Sequence, residues 1–389
     1  MTGTPHRPLG TGRLSRRTLL AATGAAAAVA LTSGPARAAR AAATVPLYLG
    51  TYTSSGGAQG IGIAAFDPAT GAITGKGSLA GVSDPSFLAS APGHLYAVNE
   101  QQGSVTAIAV RDGELSVLGS SPTGGEGPCH LLVHGEGGHV LSANYTSGSV
   151  SVHPLAADGS LREASDLVQH TGSGPDPDRQ EGPHAHMVLG TPSGRFVLAV
   201  DLGTDSVYTY RLDTGTGKLE AVVQNRVTPG LGPRHAAFHP GGSHLYVANE
   251  LGDSLSVCSY DDASGEITVL DSLPTVPSGD PAGERNYPAE VLLSPDGAYV
   301  YVSNRGHDSI ARFAVGGGGG ELTLLDTVPA QGSYPRHISL DPTGRWLFAA
   351  NQKSGSVGVF ARDEATGTLK AVGTPFAAPT PVCVLPVAD

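Results

Sequence analysis

Arginine, histidine and glutamate recur at two kinds of place in this chain. One lies just after a residue, usually proline, that opens a short apolar run. It holds Ser86, Cys129, His130, His186, Arg234, His235, Glu290, Arg336 and His337, with His184 just ahead of Ala185. The other lies at the end of the following run, on or just after an Asn or Asp. It holds Asn99-Glu100, Asn144, Asp201, Asn249-Glu250, Asn304-Arg305 and Asn351-Gln352. Guanidinium groups are planar, permanently charged donors suited to a carboxylate, a phosphate or a developing oxyanion. Imidazoles and carboxylates of tuned pKa move protons. Only 15% of the chain is charged, so this concentration stands out. If one face gathers these residues, it suits an oxygen-rich anionic ligand. The competing reading is that single polar residues there merely knit neighbouring elements together.

The elements that must position them form a repeat. An anchor opens the first run at Pro85, Pro128, Ala185, Pro233, Pro288, Pro335 and Pro381. The second run ends in Asn or Asp, as in Leu245-Tyr-Val-Ala-Asn249 and Val300-Tyr-Val-Ser-Asn304. A third begins with Ser at 104, 149, 206, 254, 309 and 356, and a fourth follows a Gly, as in Gly159-Ser-Leu161, Gly265-Glu-Ile267 and Gly367-Thr-Leu369. Each run is short, apolar or β-branched and bounded by turn residues, the pattern of a strand. The 55 glycines and 29 prolines fall between the runs as punctuation. No stretch after residue 38 keeps helical periodicity over three turns. Four strands with a period of about 50 residues describe a propeller blade.

The seventh unit is split. Its first strand is Pro381-Val-Cys-Val-Leu385, and the others are Leu47–Tyr52, Gly60–Phe66 and Gly71–Thr74. One blade built from both ends closes a ring and removes open edges. The expected fold is an all-β, seven-bladed β-propeller of four-stranded blades, a single domain over residues 39–389. An open solenoid is the alternative, but it needs atypical capping repeats that the sequence lacks. In a propeller, the start of each inner strand and the end of each second strand share one face, at the mouth of the central channel. The segments His170–Pro183 and Pro274–Tyr287 are the longest inter-blade loops and enter on that face.

Residues 1–38 read as an export signal. Ser15-Arg16-Arg17-Thr18-Leu19-Leu20 is a twin-arginine pattern, an uncharged Ala-rich run follows, and Ala36-Arg37-Ala38 offers a cleavage site. A membrane anchor is the weaker reading, since the run is only mildly apolar. No other stretch approaches a membrane span. The expected product is secreted or held in the cell envelope. Five of the 23 basic residues and none of the acids lie in this segment, so its removal takes the net charge from −11 to −16. Such an acidic chain does not suit nucleic acid or an anionic membrane. Cys129, Cys258 and Cys383 form no C-x-x-C pair and are expected as buried thiols, not metal ligands. No cofactor is expected, and the chain is expected to act as a monomer.

Gly182-Pro-His-Ala-His-Met187, Asp201-Leu-Gly-Thr-Asp205, Gly232-Pro-Arg-His235, Asn249-Glu250 and Ser303-Asn-Arg-Gly-His-Asp-Ser-Ile310 together resemble the lactonase family of seven-bladed propellers. That family includes propeller-type 6-phosphogluconolactonases and carboxymuconate-lactonizing enzymes. The resemblance spans Leu47 to the end. It implies metal-independent lactone chemistry carried by a His, two Arg and a Glu at the channel mouth. The His matches His186, the first Arg matches Arg234 and the Glu matches Glu250. The second Arg matches Arg305 or Arg336, and the Asn304-Arg305-Gly306 motif favours Arg305. His186 or Glu250 would serve as base, while Arg234 and Arg305 would hold the oxyanion. His184, His235, Glu290, Asn304, Arg336 and His337 complete the expected substrate-binding set. No G-x-S-x-G elbow supports a covalent serine route.

The implied reaction is hydrolysis of a sugar-type lactone. An export signal argues against a cytoplasmic sugar phosphate and for an unphosphorylated aldonolactone or another external lactone. Two alternatives stand beside it. One is a non-catalytic extracellular propeller that binds a sugar acid or a partner, since fold alone does not fix function. The other is a lactone-forming cycloisomerase, because microscopic reversibility gives both directions the same site.

Overall fold

A computed structural model describes residues 44–135, 138–279 and 285–388. The expected export segment, residues 1–38, lies outside them. The strands fall into seven antiparallel sheets, each ordered from the channel outward. Blade 1 is Leu88–Ala91, His94–Asn99, Ser104–Arg111 and Glu114–Pro122; blade 2 is Pro128–Val133, His139–Asn144, Ser149–Pro154 and Asp166–Gln169. Blade 3 runs Ala185–Gly190, Val197–Asp201, Ser206–Asp213 and Lys218–Arg226, and blade 4 runs Pro233–Phe238, His244–Asn249, Ser254–Asp261 and Glu266–Pro274. Blade 5 has Tyr287–Leu293, Tyr299–Arg305, Ser309–Gly316 and Glu321–Pro329. In blade 6, Pro335–Leu340, Trp346–Asn351 and Ser356–Arg362 are followed by the short strands Leu369–Ala371 and Phe376–Ala377.

Blade 7 closes the ring. Pro381–Pro386 pairs with Val45–Thr51, which pairs with Gly60–Asp67 and then Ala72–Ala80. The expected seven-bladed propeller, with one blade drawn from both ends, is the observed fold. The turns Glu100–Gln102 and Gly317–Gly319 are the only helical segments among the described residues, and no helix there is long and apolar enough to cross a membrane.

Two blades depart from the expected fourth strand. In blade 2, Gly159-Ser-Leu161 does not start it. Pro154 ends the third strand because it has no N–H to continue the ladder. Leu155 and Leu161 then form an isolated bridge, and both pack on the buried cluster between blades 1 and 2. The outer strand starts later, with Asp166 opposite Val152. In blade 6 the outer strand is interrupted between Ala371 and Phe376, and each piece pairs separately with Ser356–Arg362.

Alternation along each strand sends apolar side chains to both faces, and each face packs on the next blade. Seven buried clusters result, each drawn from two neighbouring blades. The tyrosine three residues before the terminal Asn adds a polar tie. Tyr96, Tyr246 and Tyr301 are almost wholly buried, and their hydroxyls donate to Gly159 O (2.9 Å), Gly319 O (2.8 Å) and Gly367 O (2.7 Å) in the next blade. The terminal Asn is structural as well. The Asn249 amide donates to Ser254 Oγ at 3.0 Å and Ser256 Oγ at 2.8 Å. Asn144 repeats this with Ser149 and Ser151.

Tyr246→Phe removes one such tie while keeping the ring. It should lower unfolding stability by about 1–2 kcal/mol, because Gly319 O is left buried without its donor. Denaturant unfolding of the two proteins checks this.

Candidate active site

A slip in register builds the site. In six blades the pairing between the inner and second strands shifts by one residue just after the anchor. The extra residue is Cys129, His186, Arg234, Arg336 or Val382 in blades 2, 3, 4, 6 and 7. In blade 5, Ala289 and Glu290 together face Ser303, whose Oγ accepts from Glu290 N at 3.0 Å. A bulge of this kind re-aims a side chain out of the strand alternation. Register thus separates two levels: the first residue after each anchor, and the second, which includes His130, His235, Glu290 and His337. The residue after each second-strand Asn, or its equivalent, forms a third level. Tyr52, Glu100, Tyr145, Glu250 and Arg305 belong to it.

Glu250 is the centre of the upper levels. Its Oε2 lies 2.6 Å from Arg305 Nη2 and 3.2 Å from Arg234 Nε, and its Oε1 lies 2.6 Å from Arg179 Nη2. The Arg234 contact is an ion pair without hydrogen-bond alignment, so Arg234 Nε has no hydrogen-bond partner. Arg234 is held instead by Nη1 donating to Ala289 O at 2.7 Å. Arg305 is fixed by donation to Tyr287 O at 3.2 Å and lies over the Tyr287 and Tyr334 rings. Burial alone would raise the Glu250 carboxyl; Arg305, Arg234 and Arg179 overcome it and hold the pKa well below the usual carboxylate range. A carboxylate so held accepts a proton poorly. The three contacts favour Glu250 as an anchor for guanidinium groups over the role of base.

Arg179 was not among the expected site residues. It comes from the His170–Pro183 segment, which was expected to form the rim but carries no repeat position to compare. That segment is tied down at several points. His170 Nδ1 lies 2.6 Å from Asp201 Oδ2, and Gln180 Nε2 donates to Leu202 O at 2.8 Å. Asp176 Oδ1 accepts from Arg179 N at 3.2 Å. The guanidinium also donates to Tyr145 Oη at 3.2 Å. With its side chain 33% exposed, against 6% for Glu250 and 4% for Arg305, Arg179 is the cation that meets solvent.

His186 is buried beside this cluster. Its ring meets Tyr145 and His235 edge to face, at centroid distances of 5.4 and 5.1 Å, and its Nδ1 is 3.8 Å from Cys129 Sγ. Burial first, then Arg234, lowers its pKa well below the ordinary value, so the imidazole is neutral. Burial pushes the Cys129 thiol up to about 12, which keeps it protonated. Arg336 lies over the Tyr52 ring, and the Tyr52 hydroxyl donates to Glu100 at 2.9 Å. No carboxylate among the described residues pairs directly with Arg336. Among the described residues, Arg336 thus adds a guanidinium to the mouth beyond the three gathered on Glu250.

The remaining expected residues divide. His184 stacks on Tyr145 at 4.6 Å, donates from Nδ1 to Tyr145 O at 3.0 Å and sits on the rim. Asn304 is fully buried, and its amide is spent on Thr275 O and Ser309 Oγ. Its place is that of the other terminal Asn residues, in the scaffold. His235, Glu290 and His337 lie one level down and bind one another. Glu290 Oε2 is 2.9 Å from His235 Nδ1 and 3.5 Å from His337 Nε2. Among the described residues, no His, Cys, Asp and Glu side chains are grouped to hold a metal ion.

Comparison with known proteins gives a consistent picture. A family model described as "Lactonase, 7-bladed beta-propeller" matches residues 46–386. A 6-phosphogluconolactonase from Bacillus subtilis is 37% identical over 343 residues, covering 87% of this chain and 97% of that protein. The structure of a periplasmic gluconolactonase from Pseudomonas aeruginosa superposes with a TM-score of 0.83 at 31% identity, over 89% of this chain and 99% of that one. A Lactobacillus plantarum protein gives a TM-score of 0.83 at 33% identity, over 89% and 100% of the two chains.

Two outcomes follow from the site's electrostatics. Burial raises all three thiols, Cys129, Cys258 and Cys383, to about 12. A thiol reagent at pH 8 should therefore titrate none in the native protein and all three after unfolding. Glu250→Gln should destabilise the protein at neutral pH by roughly 3–5 kcal/mol, because three guanidinium groups lose their carboxylate. The carboxyl's folded-state pKa is depressed, so its contribution is complete above the unfolded value of 4.5 and fades as pH falls below it. The gap between the two proteins should close in acid, read as converging denaturant midpoints.

Proposed function

The chain belongs to the seven-bladed β-propeller lactonase family, and from that premise we propose that it is an exported hydrolase of an unphosphorylated aldonolactone, working through side chains alone. The observation that carries this reading is a neutral, buried His186 beside a mouth where Arg234 and Arg305 gather on Glu250. A neutral imidazole has a free lone pair; its lowered pKa makes it a weak base, and the oxyanion that forms beside it favours the imidazolium that results. The guanidinium groups favour the anion that forms at the carbonyl oxygen.

The step balances as follows. Water oxygen bonds to the lactone carbonyl carbon while its proton passes to His186. The carbonyl oxygen becomes an oxyanion facing Arg234 and Arg305, fixed donors that need no reorganisation as charge develops. The ring C–O bond then breaks, and the proton on His186 goes to the departing ring oxygen, which becomes a hydroxyl. The product acid ionises and releases one proton. Glu250 acts as the common anchor of Arg179, Arg234 and Arg305. Arg179, alone of the three in meeting solvent, orients the substrate's hydroxyl groups on entry.

Two observations support the substrate and its location. The twin-arginine pattern and Ala36-Arg37-Ala38 argue for export, where sugar phosphates are scarce. The Pseudomonas aeruginosa neighbour is a periplasmic gluconolactonase by name.

The test follows opening of gluconolactone in mildly acidic buffer, where the spontaneous reaction is slow. The protein should exceed the background, and His186→Ala should lower kcat/KM by about 10²–10³-fold. Arg179→Ala should raise KM about tenfold with kcat changed far less, the signature of lost ground-state binding. A protein that accelerates no aldonolactone sinks the proposal, and a strong preference for the 6-phosphorylated lactone sinks its substrate. Mass measurement of the protein recovered outside expressing cells should show a chain beginning after Ala38.

A further inference from the structure

Below the mouth lies a small cavity of about 10 Å³, room for about one water molecule. Three of the residues that line it carry a buried polar atom with no hydrogen-bond partner: Ser86 Oγ, Arg234 Nε and His235 Nε2. Buried donors and acceptors are normally satisfied by protein or ordered water. Arg234 Nε already faces Glu250 Oε2 at 3.2 Å, so Ser86 Oγ and His235 Nε2 are the two that call for a single water in a cavity of this size.

His235 joins this cavity to a carboxyl group. Its Nδ1 lies 2.9 Å from Glu290 Oε2, and the same oxygen is 3.5 Å from His337 Nε2. Val384 N donates to His337 Nδ1 at 3.3 Å, so in the neutral ring Nε2 carries the hydrogen, and it lies 3.5 Å from Glu290 Oε2 without hydrogen-bond alignment. Glu290 Oε1 accepts from Val291 N at 3.2 Å. The only place left for exchange is the Glu290–His235 bond. When Glu290 is protonated it donates to His235 Nδ1, and His235 Nε2 bears the hydrogen. When Glu290 is ionised, Nδ1 bears it and Nε2 becomes an acceptor.

We propose that Glu290 and His235 form a buried proton-exchanging pair, in which the state of Glu290 decides whether His235 Nε2 donates to or accepts from a single water below the reacting groups. This rests on the lactonase reading for its use: hydrolysis releases one proton per turnover, and the ionised pair takes it from the mouth through that water and returns it by the same water once the product has left. The His235 ring is in edge-to-face contact with that of His186, which places the pair beside the proposed base. Glu290 is here a positioning residue that acts through His235. Its surroundings favour neutral forms. Burial raises the Glu290 pKa against the pull of His337 and Arg234, and lowers that of His235, which Arg234 lowers further. Other ionisable groups that act on the pair are Arg336, Arg305 and Cys383, with His130 against the His235 ring.

The test uses the full protein with ¹⁵N-labelled histidine, and His235→Gln to assign the signal. In the wild type, the His235 ring nitrogens should exchange donor and acceptor signatures between pH 5 and 9. In Glu290→Gln they should stay fixed over that range, while the kcat profile loses the corresponding limb and KM holds within about threefold. A wild-type His235 that keeps one tautomer throughout overturns the pair, whether or not any lactone is opened, and needs no variant to fold. A titrating His235 in a protein without lactonase activity upholds the pair and rejects only its use. An unchanged kcat profile in Glu290→Gln likewise rejects that use.

Discussion

One carboxylate holds the mouth together. Glu250 meets Arg305 from blade 5, Arg234 from blade 4 and Arg179 from the long loop ahead of blade 3. Each guanidinium buried alone would be intolerable, and each would repel the other two. Gathered on one anion, they stay charged, rigid and close. The arrangement also fixes the loop, since Arg179 is its only side chain seen to bond with Glu250. These guanidinium groups, with Arg336, are what a developing oxyanion would meet. Stability and proposed chemistry here draw on the same atoms, so the site cannot be softened without loosening the ring around it.

A symmetric ring makes an asymmetric site through a repeated irregularity. The bulge after each anchor is the same in six blades, but it presents a thiol, an imidazole, a guanidinium or an isopropyl group in turn. Blade 5 puts only Ala289 at that point, and the missing bulk is where Arg234 finds a backbone oxygen. The strand ladder beyond the bulge is undisturbed. Chemistry can therefore vary at one residue per blade without touching the apolar clusters that hold neighbouring blades together.

The sequence showed much of this plainly. The anchors, the Asn ends and the Ser-led third strands mark strand limits that the structure keeps to within a residue, except in blade 1, where the inner strand starts at Leu88, three residues after Pro85. Two things were hidden. Register is not written in a repeat, so Arg234 and His235, adjacent in sequence, looked equivalent; the bulge puts them on different levels, and the same holds for Arg336 and His337. Arg179 was hidden because its loop has no counterpart in other blades. The signal was present even so, since Arg179 and Arg285 are the only arginines in the two longest loops on the mouth face. Asn304 misled for the opposite reason. Its neighbour Arg305 points to the site, whereas its own amide does what every terminal Asn in the ring does.

The shared blade has a consequence for how the molecule comes into being. Blades 1 to 6 are each made of contiguous chain and can assemble as hairpins from local contacts. Blade 7 cannot, since Val45–Thr51 must wait for Pro381–Pro386. The pairing closes a loop of nearly the whole described chain. Its entropic cost grows only logarithmically with length, but contacts so distant form late. Until then the open ring shows two unpaired sheet edges, each a template for another chain. The final strand thus sets the moment at which a growing, adhesive arc becomes a finished and self-contained molecule. The pairing of these two distant strands decides how long that exposure lasts.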